Sequence, residues 1–187
     1  MDLTPTPSQT VGPYLHLGLT DARSISCVAG DEAKGERVWI TFRVLDGGGI
    51  PVPDAMIELW QADSEGNYVP ENGGADGSAF RGFGRLATTE GGSCTFETIR
   101  PGCVPGPADT VQAPHINVSI LGRGILSRLS TRLYFGGEQA NARDPVLALV
   151  PENRRATLLA RPDPAHTSNW IFDVHLRGEG ETVFFDV

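Results

Sequence analysis

Between residues 37 and 45 the chain alternates, with Val38, Ile40, Phe42 and Val44 interleaved with Trp39, Thr41 and Arg43. A period of two places the apolar set on one face of a strand and the remaining side chains on the other. The alternation returns at 93–99, where Cys94, Phe96 and Thr98 share a face. It returns again at 169–177, where Trp170, Phe172, Val174 and Leu176 oppose Asp173, His175 and Arg177. Further strands are predicted at 55–62, 80–89, 115–121 and 128–135, with shorter ones at 156–161 and 181–186. Glycine-rich turns separate them: Asp46-Gly47-Gly48-Gly49, Gly91-Gly92 and Gly122 to Gly124. Residues 138–149 lack this alternation and read as a short helix or two helical turns. A Gly/Asn-rich excursion covers 63–79, and 101–114 is too polar and proline-rich for regular structure.

About eight short strands with turn signals between them predict an all-β fold: a β-sandwich of mostly antiparallel strands with long loops and little helix. There is no internal repeat and no interdomain linker, so one domain over 1–187 is expected. Residues 4–14 differ from the rest. Their prolines oppose helix and favour extended backbone, which predicts an arm. Tyr14, Leu15, Leu17 and Leu19 make that arm too apolar for free solvation, so it is expected to lie on a surface.

Composition narrows the class. The 187 residues include 23 Gly and 14 Pro, in keeping with frequent turns, and 40% hydrophobic residues, enough for a sizeable core. A net charge of −8 leaves no basic footprint for nucleic acid and disfavours anionic membranes. Cys27, Cys94 and Cys103 form no CxxC and cannot all pair, which suits a reducing compartment. The opening Met1-Asp2-Leu3-Thr4-Pro5 lacks the pattern of a secretory leader, and no stretch approaches the ~18 apolar residues of a membrane helix. Cytoplasm is the expectation.

The chemistry turns on one strand. In Ala113-Pro114-His115-Ile116-Asn117-Val118-Ser119, His115 and Asn117 point to one face and Ile116 and Val118 to the other. Two histidines at that spacing would offer two imidazoles to one ion. A histidine and a neutral amide do not.

The runs Gly35-Glu36-Arg37 to Leu45-Asp46, Pro53-Asp54-Ala55-Met56-Ile57-Glu58-Leu59-Trp60-Gln61-Ala62-Asp63 and Thr98-Ile99-Arg100-Pro101-Gly102 resemble the intradiol ring-cleavage dioxygenases. The opening Thr6-Pro7-Ser8-Gln9-Thr10-Val11-Gly12-Pro13-Tyr14 and the closing Gly178-Glu179-Gly180-Glu181-Thr182-Val183-Phe184-Phe185-Asp186 extend the resemblance to nearly the whole chain. The resemblance implies a ferric ion held by two tyrosinates and two histidines, and a catechol that chelates it and reacts with O2. Matched position by position, Tyr68 keeps one tyrosine and His115 one histidine, while Val104 and Asn117 stand at the other two. Gln112 stands where the iron-bearing chains carry an arginine. The resemblance therefore implies that this chain binds no metal and supplies no catalytic group. Fe(III) would belong to a homologous iron-bearing partner chain, in αβ protomers of a larger assembly.

In such pairs the iron-free chain walls the partner's pocket. The matching residues here are Thr10, Gly12, Pro13 and Tyr14 in the arm (1–20) and Arg132 in Ser130-Thr131-Arg132-Leu133-Tyr134-Phe135. Gly12 permits close backbone approach, Pro13 stiffens the arm, and Tyr14 offers a flat wall with a hydroxyl. Arg132 shares a face with Arg128, Ser130 and Tyr134, expected to look away from the core, and a guanidinium suits a ring carboxylate. Two other readings stay open on sequence alone. One is a self-sufficient metalloenzyme with an atypical site at Tyr68 and His115. The other is a non-catalytic β-sandwich binding or scaffold protein.

Overall fold

The structure, a computed structural model, describes residues 5–21, 23–69 and 80–186. Among these residues ten strands follow one another: β1 (Arg37–Leu45), β2 (Met56–Gln61), β3 (Phe83–Ala87), β4 (Ser93–Ile99), β5 (Val104–Pro105), β6 (Val111–Gln112), β7 (His115–Leu121), β8 (Leu129–Phe135), β9 (Leu159–Asp163) and β10 (His166–His175). Eight form one mixed sheet in the order β3-β2-β7-β8-β9-β10-β1-β4. The β8–β9 and β1–β10 pairs are parallel and the rest antiparallel.

β9 is where the sheet changes layer. Its first residues, Leu159 and Ala160, pair with Tyr134 and Phe135 of β8. Its later ones, Arg161 to Asp163, pair with β10. The two halves enclose one apolar cluster. Ile57, Leu59, Ile116, Val118, Ile120, Leu133 and Phe135 enter it from one side, and Val38, Ile40, Phe42, Val44, Phe96, Phe172 and Val174 from the other. Phe42 meets Phe96 and Phe172 edge-on, with centroids 5.7 and 5.8 Å away, the geometry ring quadrupoles favour. The β-sandwich expected from the alternation is the fold observed.

Four local expectations are corrected. The arm is not extended throughout: Pro13–Leu15 forms a helical turn, continued by a π-helical stretch, His16–Asp21. Proline at the first helical position gives up an N–H that has no helical partner anyway. The Thr20 hydroxyl then ties down the turn through the His16 carbonyl (2.9 Å) and Nδ1 (3.0 Å). The loop 101–114 contains a two-stranded ribbon, β5–β6, too short to show a period. The expected strand 156–161 begins only at Leu159, after a 3-10 helix, Glu152–Leu158. The tail 181–186 makes a single bridge, Phe185 to Ser130, and is otherwise tethered at points such as Thr131 Oγ1 to the Val183 carbonyl (2.7 Å). The two helical turns expected at 138–149 are present as 3-10 helices Gln139–Arg143 and Leu147–Leu149. Residues 1–4 of the arm and 70–79 of the Gly/Asn-rich excursion lie outside the described residues. Among the described residues, no helix is long and apolar enough to cross a membrane.

Candidate functional site: a polar row on β2, β7 and β8

Antiparallel register aligns Trp60 of β2, Asn117 of β7 and Arg132 of β8 in one row. One step along, His115 pairs with Tyr134. These side chains share the face opposite the core, because Ile116, Val118, Leu133 and Phe135 take the core face. Tyr68 leans onto the row: its ring lies 4.8 Å from that of Trp60, and its hydroxyl accepts from Asn117 Nδ2 at 3.1 Å. The turn carrying it is tight. Gly66 adopts φ +88°, and a Cβ there would lie 1.9 Å from the Cys103 carbonyl oxygen, so only glycine fits.

His115 is 1% exposed. Its Nδ1 is 2.7 Å from the Ala113 carbonyl, which can only accept, so Nδ1 carries the proton and Nε2 keeps a free lone pair. Burial lowers its pKa below the ordinary 6.5 and the nearby Arg132 charge adds to that, while the Ala113 carbonyl and Asp144 pull the other way. One imidazole thus retains a ligand-like pose, with its second nitrogen fixed by a carbonyl. The rest of the donor set does not follow. Val104 is a buried isopropyl group, and the Asn117 amide spends a donor N–H on Tyr68. The residues present do not fit a ferric ion, which needs several anionic or imidazole donors. Among the described residues no three of His, Cys, Asp and Glu converge on a point.

The expectation that the Arg132 face looks away from the core needs one correction. Its Tyr134 end is fully covered by a second apolar cluster with Ala113, Leu147, Val150 and Leu158. The 3-10 helices form this cover, and alternation within β8 gave no sign of it. Asp144 lies in it at 1% exposure and was missed by sequence reasoning. It accepts from the backbone N–H groups of Ala113 (2.7 Å), Val146 (2.9 Å) and Leu147 (2.7 Å) and from the Tyr134 hydroxyl (3.0 Å). The turn-initiating pair Asp144-Pro145 after Arg143 was a sequence signal for it. Arg132 itself is half-buried and donates to Gln112 Oε1 at 2.7 Å.

The arm residues do not meet Arg132 within this chain. Thr10 Oγ1 accepts from the Gly124 N–H at 2.8 Å, at the β7–β8 turn. That turn is about 17 Å from Asn117 at the rise of a β-strand. Gly12, Pro13 and Tyr14 are exposed, Tyr14 by 83%, and Leu17 beside them by 60%. The arm is anchored to its own chain at Thr10 and at buried Thr20 and presents an uncovered aromatic–aliphatic pair, Tyr14 and Leu17, between them.

The dioxygenase family model matches residues 11–178. The chain belongs to the intradiol ring-cleavage dioxygenase family. It is 44% identical to the protocatechuate 3,4-dioxygenase alpha chain of Pseudomonas putida, over 98% of this chain and 97% of that one. It is 37% identical to the protocatechuate 3,4-dioxygenase beta chain of Burkholderia cepacia, over 84% of this chain and 71% of that one. Among solved structures, the dioxygenase domain of a dioxygenase carbohydrate-binding fusion from Streptomyces sp. SirexAA-E superposes with a TM-score of 0.63 at 28% identity, covering 94% of this chain and 99% of that one.

Proposed function

We propose that this chain is the iron-free alpha subunit of a protocatechuate 3,4-dioxygenase. In this reading it forms one domain whose arm, residues 1–20, packs on a homologous iron-bearing beta chain in αβ protomers. The assembled enzyme takes protocatechuate and O2 to 3-carboxy-cis,cis-muconate. The single observation that carries the reading is the donor set. Tyr68 and His115 are kept, but Val104 and the Asn117 amide occupy the remaining positions, so ring-cleaving iron must belong to the partner.

This chain's own part is binding and orientation. Arg132 holds the ring carboxylate by charge-assisted hydrogen bonds, which fixes the direction in which the two ring hydroxyls point. Thr10, Gly12, Pro13 and Tyr14 wall the pocket from the arm. Gly12 admits close approach, and the exposed Tyr14 ring supplies a flat apolar surface that excludes water. The exposure of Tyr14 and Leu17 in the separate chain supports a role for the arm at an interface.

The test is co-expression with a homologous iron-bearing chain. The pair is expected to co-purify, to contain iron and to cleave protocatechuate, and this chain alone to do neither of the last two. Ring cleavage by this chain alone, with its own tightly held iron, contradicts the reading.

A further inference from the structure

We propose that Gln112 and Tyr134, the latter backed by Asp144, form a clamp that fixes the Arg132 guanidinium and leaves one of its edges open for an organic carboxylate. The inference rests on the reading of Arg132 as the carboxylate-binding group. Arg132 Nη1 donates to Gln112 Oε1 at 2.7 Å and to the Tyr134 hydroxyl oxygen at 3.4 Å. Among the described residues, its Nε and Nη2 have no acceptor. Those two nitrogens form the side-on edge of a guanidinium, the edge that takes a carboxylate through two parallel bonds. Arg43 shows the same pairing in this chain, bonding Asp173 through Nε and Nη2.

Each acceptor is itself held. Gln112 Nε2 donates to the Pro105 carbonyl at 3.0 Å, across the β5–β6 ribbon, so the amide is oriented with Oε1 toward Arg132. Tyr134 is fully buried, and its hydroxyl donates to Asp144 Oδ1 at 3.0 Å. A phenol that donates to a carboxylate becomes a better acceptor, so the Asp144–Tyr134–Arg132 chain strengthens at each link. Burial pushes the Tyr134 pKa up, against the pull of Arg132, so the phenol keeps the proton this chain needs. Asp144 accepts three backbone N–H groups besides the phenol, leaving little freedom at the base of the relay. An arginine free to rotate loses several side-chain torsions when it binds a ligand, and one already clamped does not. Gln112, Tyr134 and Asp144 are thus positioning residues: they act on substrate only through Arg132.

The experiment uses the assembled two-chain enzyme, with protocatechuate and unsubstituted catechol as paired substrates. Gln112→Leu and Tyr134→Phe are each expected to raise KM for protocatechuate by about 3- to 10-fold, the size of one net hydrogen bond. KM for catechol and both kcat values are expected to stay near wild type. In an Arg132→Ala background neither substitution is expected to have a further effect, because the coupling partner is gone. If Arg132→Ala is selective for protocatechuate but both clamp variants keep wild-type KM, the clamp is wrong and the role of Arg132 stands. If Arg132→Ala affects the two substrates equally, both fall. Equal losses of kcat on both substrates also overturn the clamp, since they mark a structural effect. Should Tyr134→Phe fail to fold, Gln112→Leu, on a short ribbon outside the core, decides alone.

Discussion

Asn117 donates its side-chain amide to the phenol oxygen of Tyr68 at 3.1 Å, across a space where two metal ligands would otherwise face one another. The pair is self-satisfying: a donor and an acceptor meet with no charge to neutralise. Strand pairing with β2 holds the strand that carries Asn117, and the close approach of Gly66 to the Cys103 carbonyl holds the turn that carries Tyr68.

Restoring donors should restore metal in proportion. Asn117→His places a second imidazole on the His115 face and removes the amide from Tyr68, yet leaves one anionic oxygen missing. The Val104→Tyr, Asn117→His double variant supplies it, at an overpacking cost of about 1–3 kcal/mol at buried Val104. Iron retained after gel filtration is expected to rise from wild type to single to double variant. A tyrosinate-to-iron absorption band in the visible is expected to grow in the same order, since Tyr68 supplies one phenolate in the single variant and Val104→Tyr a second in the double. A wild-type chain that retains as much iron as the double variant contradicts the donor account.

Arg132→Ala in the assembled enzyme is expected to raise KM for protocatechuate far more than for catechol. Loss of a charge-assisted bond of about 1.5–3 kcal/mol corresponds to about 10- to 150-fold in binding. Steady-state kinetics on the two substrates read the difference directly, and equal effects would remove Arg132 from the pocket.

Protonating His115 should destabilise the chain. Its folded pKa lies below 6.5 because the ring is buried, so the unfolded chain binds the proton more readily. The stability tied to a neutral His115 is therefore present above about pH 6.5 and is lost as pH falls toward the lowered folded value, by at most about 1.4 kcal/mol per pH unit. Glu138 and Asp173 also have lowered pKa values: Glu138 through the Ala140 N–H and then Arg100, Asp173 because Arg43 and Arg161 outweigh its burial. Their contributions hold above their ordinary values of 4.5 and 3.8 and fade only in stronger acid. Urea unfolding from about pH 7.5 to about pH 5.5 thus stays clear of both carboxylates, and the His115 share is the part of the slope that a His115 variant removes. His115→Gln is expected to flatten that slope, and an unchanged slope would assign it elsewhere.

The three thiols should separate by exposure. Cys27 and Cys103 are exposed, whereas Cys94 is buried and burial pushes its pKa up to about 12. Maleimide is expected to modify two thiols per native chain and the third only after unfolding, as read by intact mass. Rapid labelling of Cys94 in the native chain would place it outside the core.

Much of this structure was legible in the sequence because the relevant signals are periodic. Val38 to Val44 and Trp170 to Val174 alternate, and both strands are observed with those residues buried. The face shared by His115 and Asn117 followed from the same rule, whereas the replacement of two donor positions was legible only through the family resemblance. The β5–β6 ribbon was not legible, since two residues cannot display a period. Neither was the burial of Tyr134, which depends on 3-10 helices arriving from elsewhere in the chain. Asp144 was overlooked for the same reason: its partners Ala113 and Tyr134 are 31 and 10 residues away. The arm was half legible. Its apolar residues marked a surface-seeking segment, but its prolines suggested extension where Pro13 starts a helical turn.

The metal content of this chain purified by itself, beside the same chain purified with its beta partner, bears most directly on the proposal. Iron is expected with the pair and not with the single chain, and protocatechuate cleavage is expected to follow the iron. Stoichiometric iron and ring cleavage in the single chain would mean that Tyr68 and His115 suffice, and that the two-chain account is wrong.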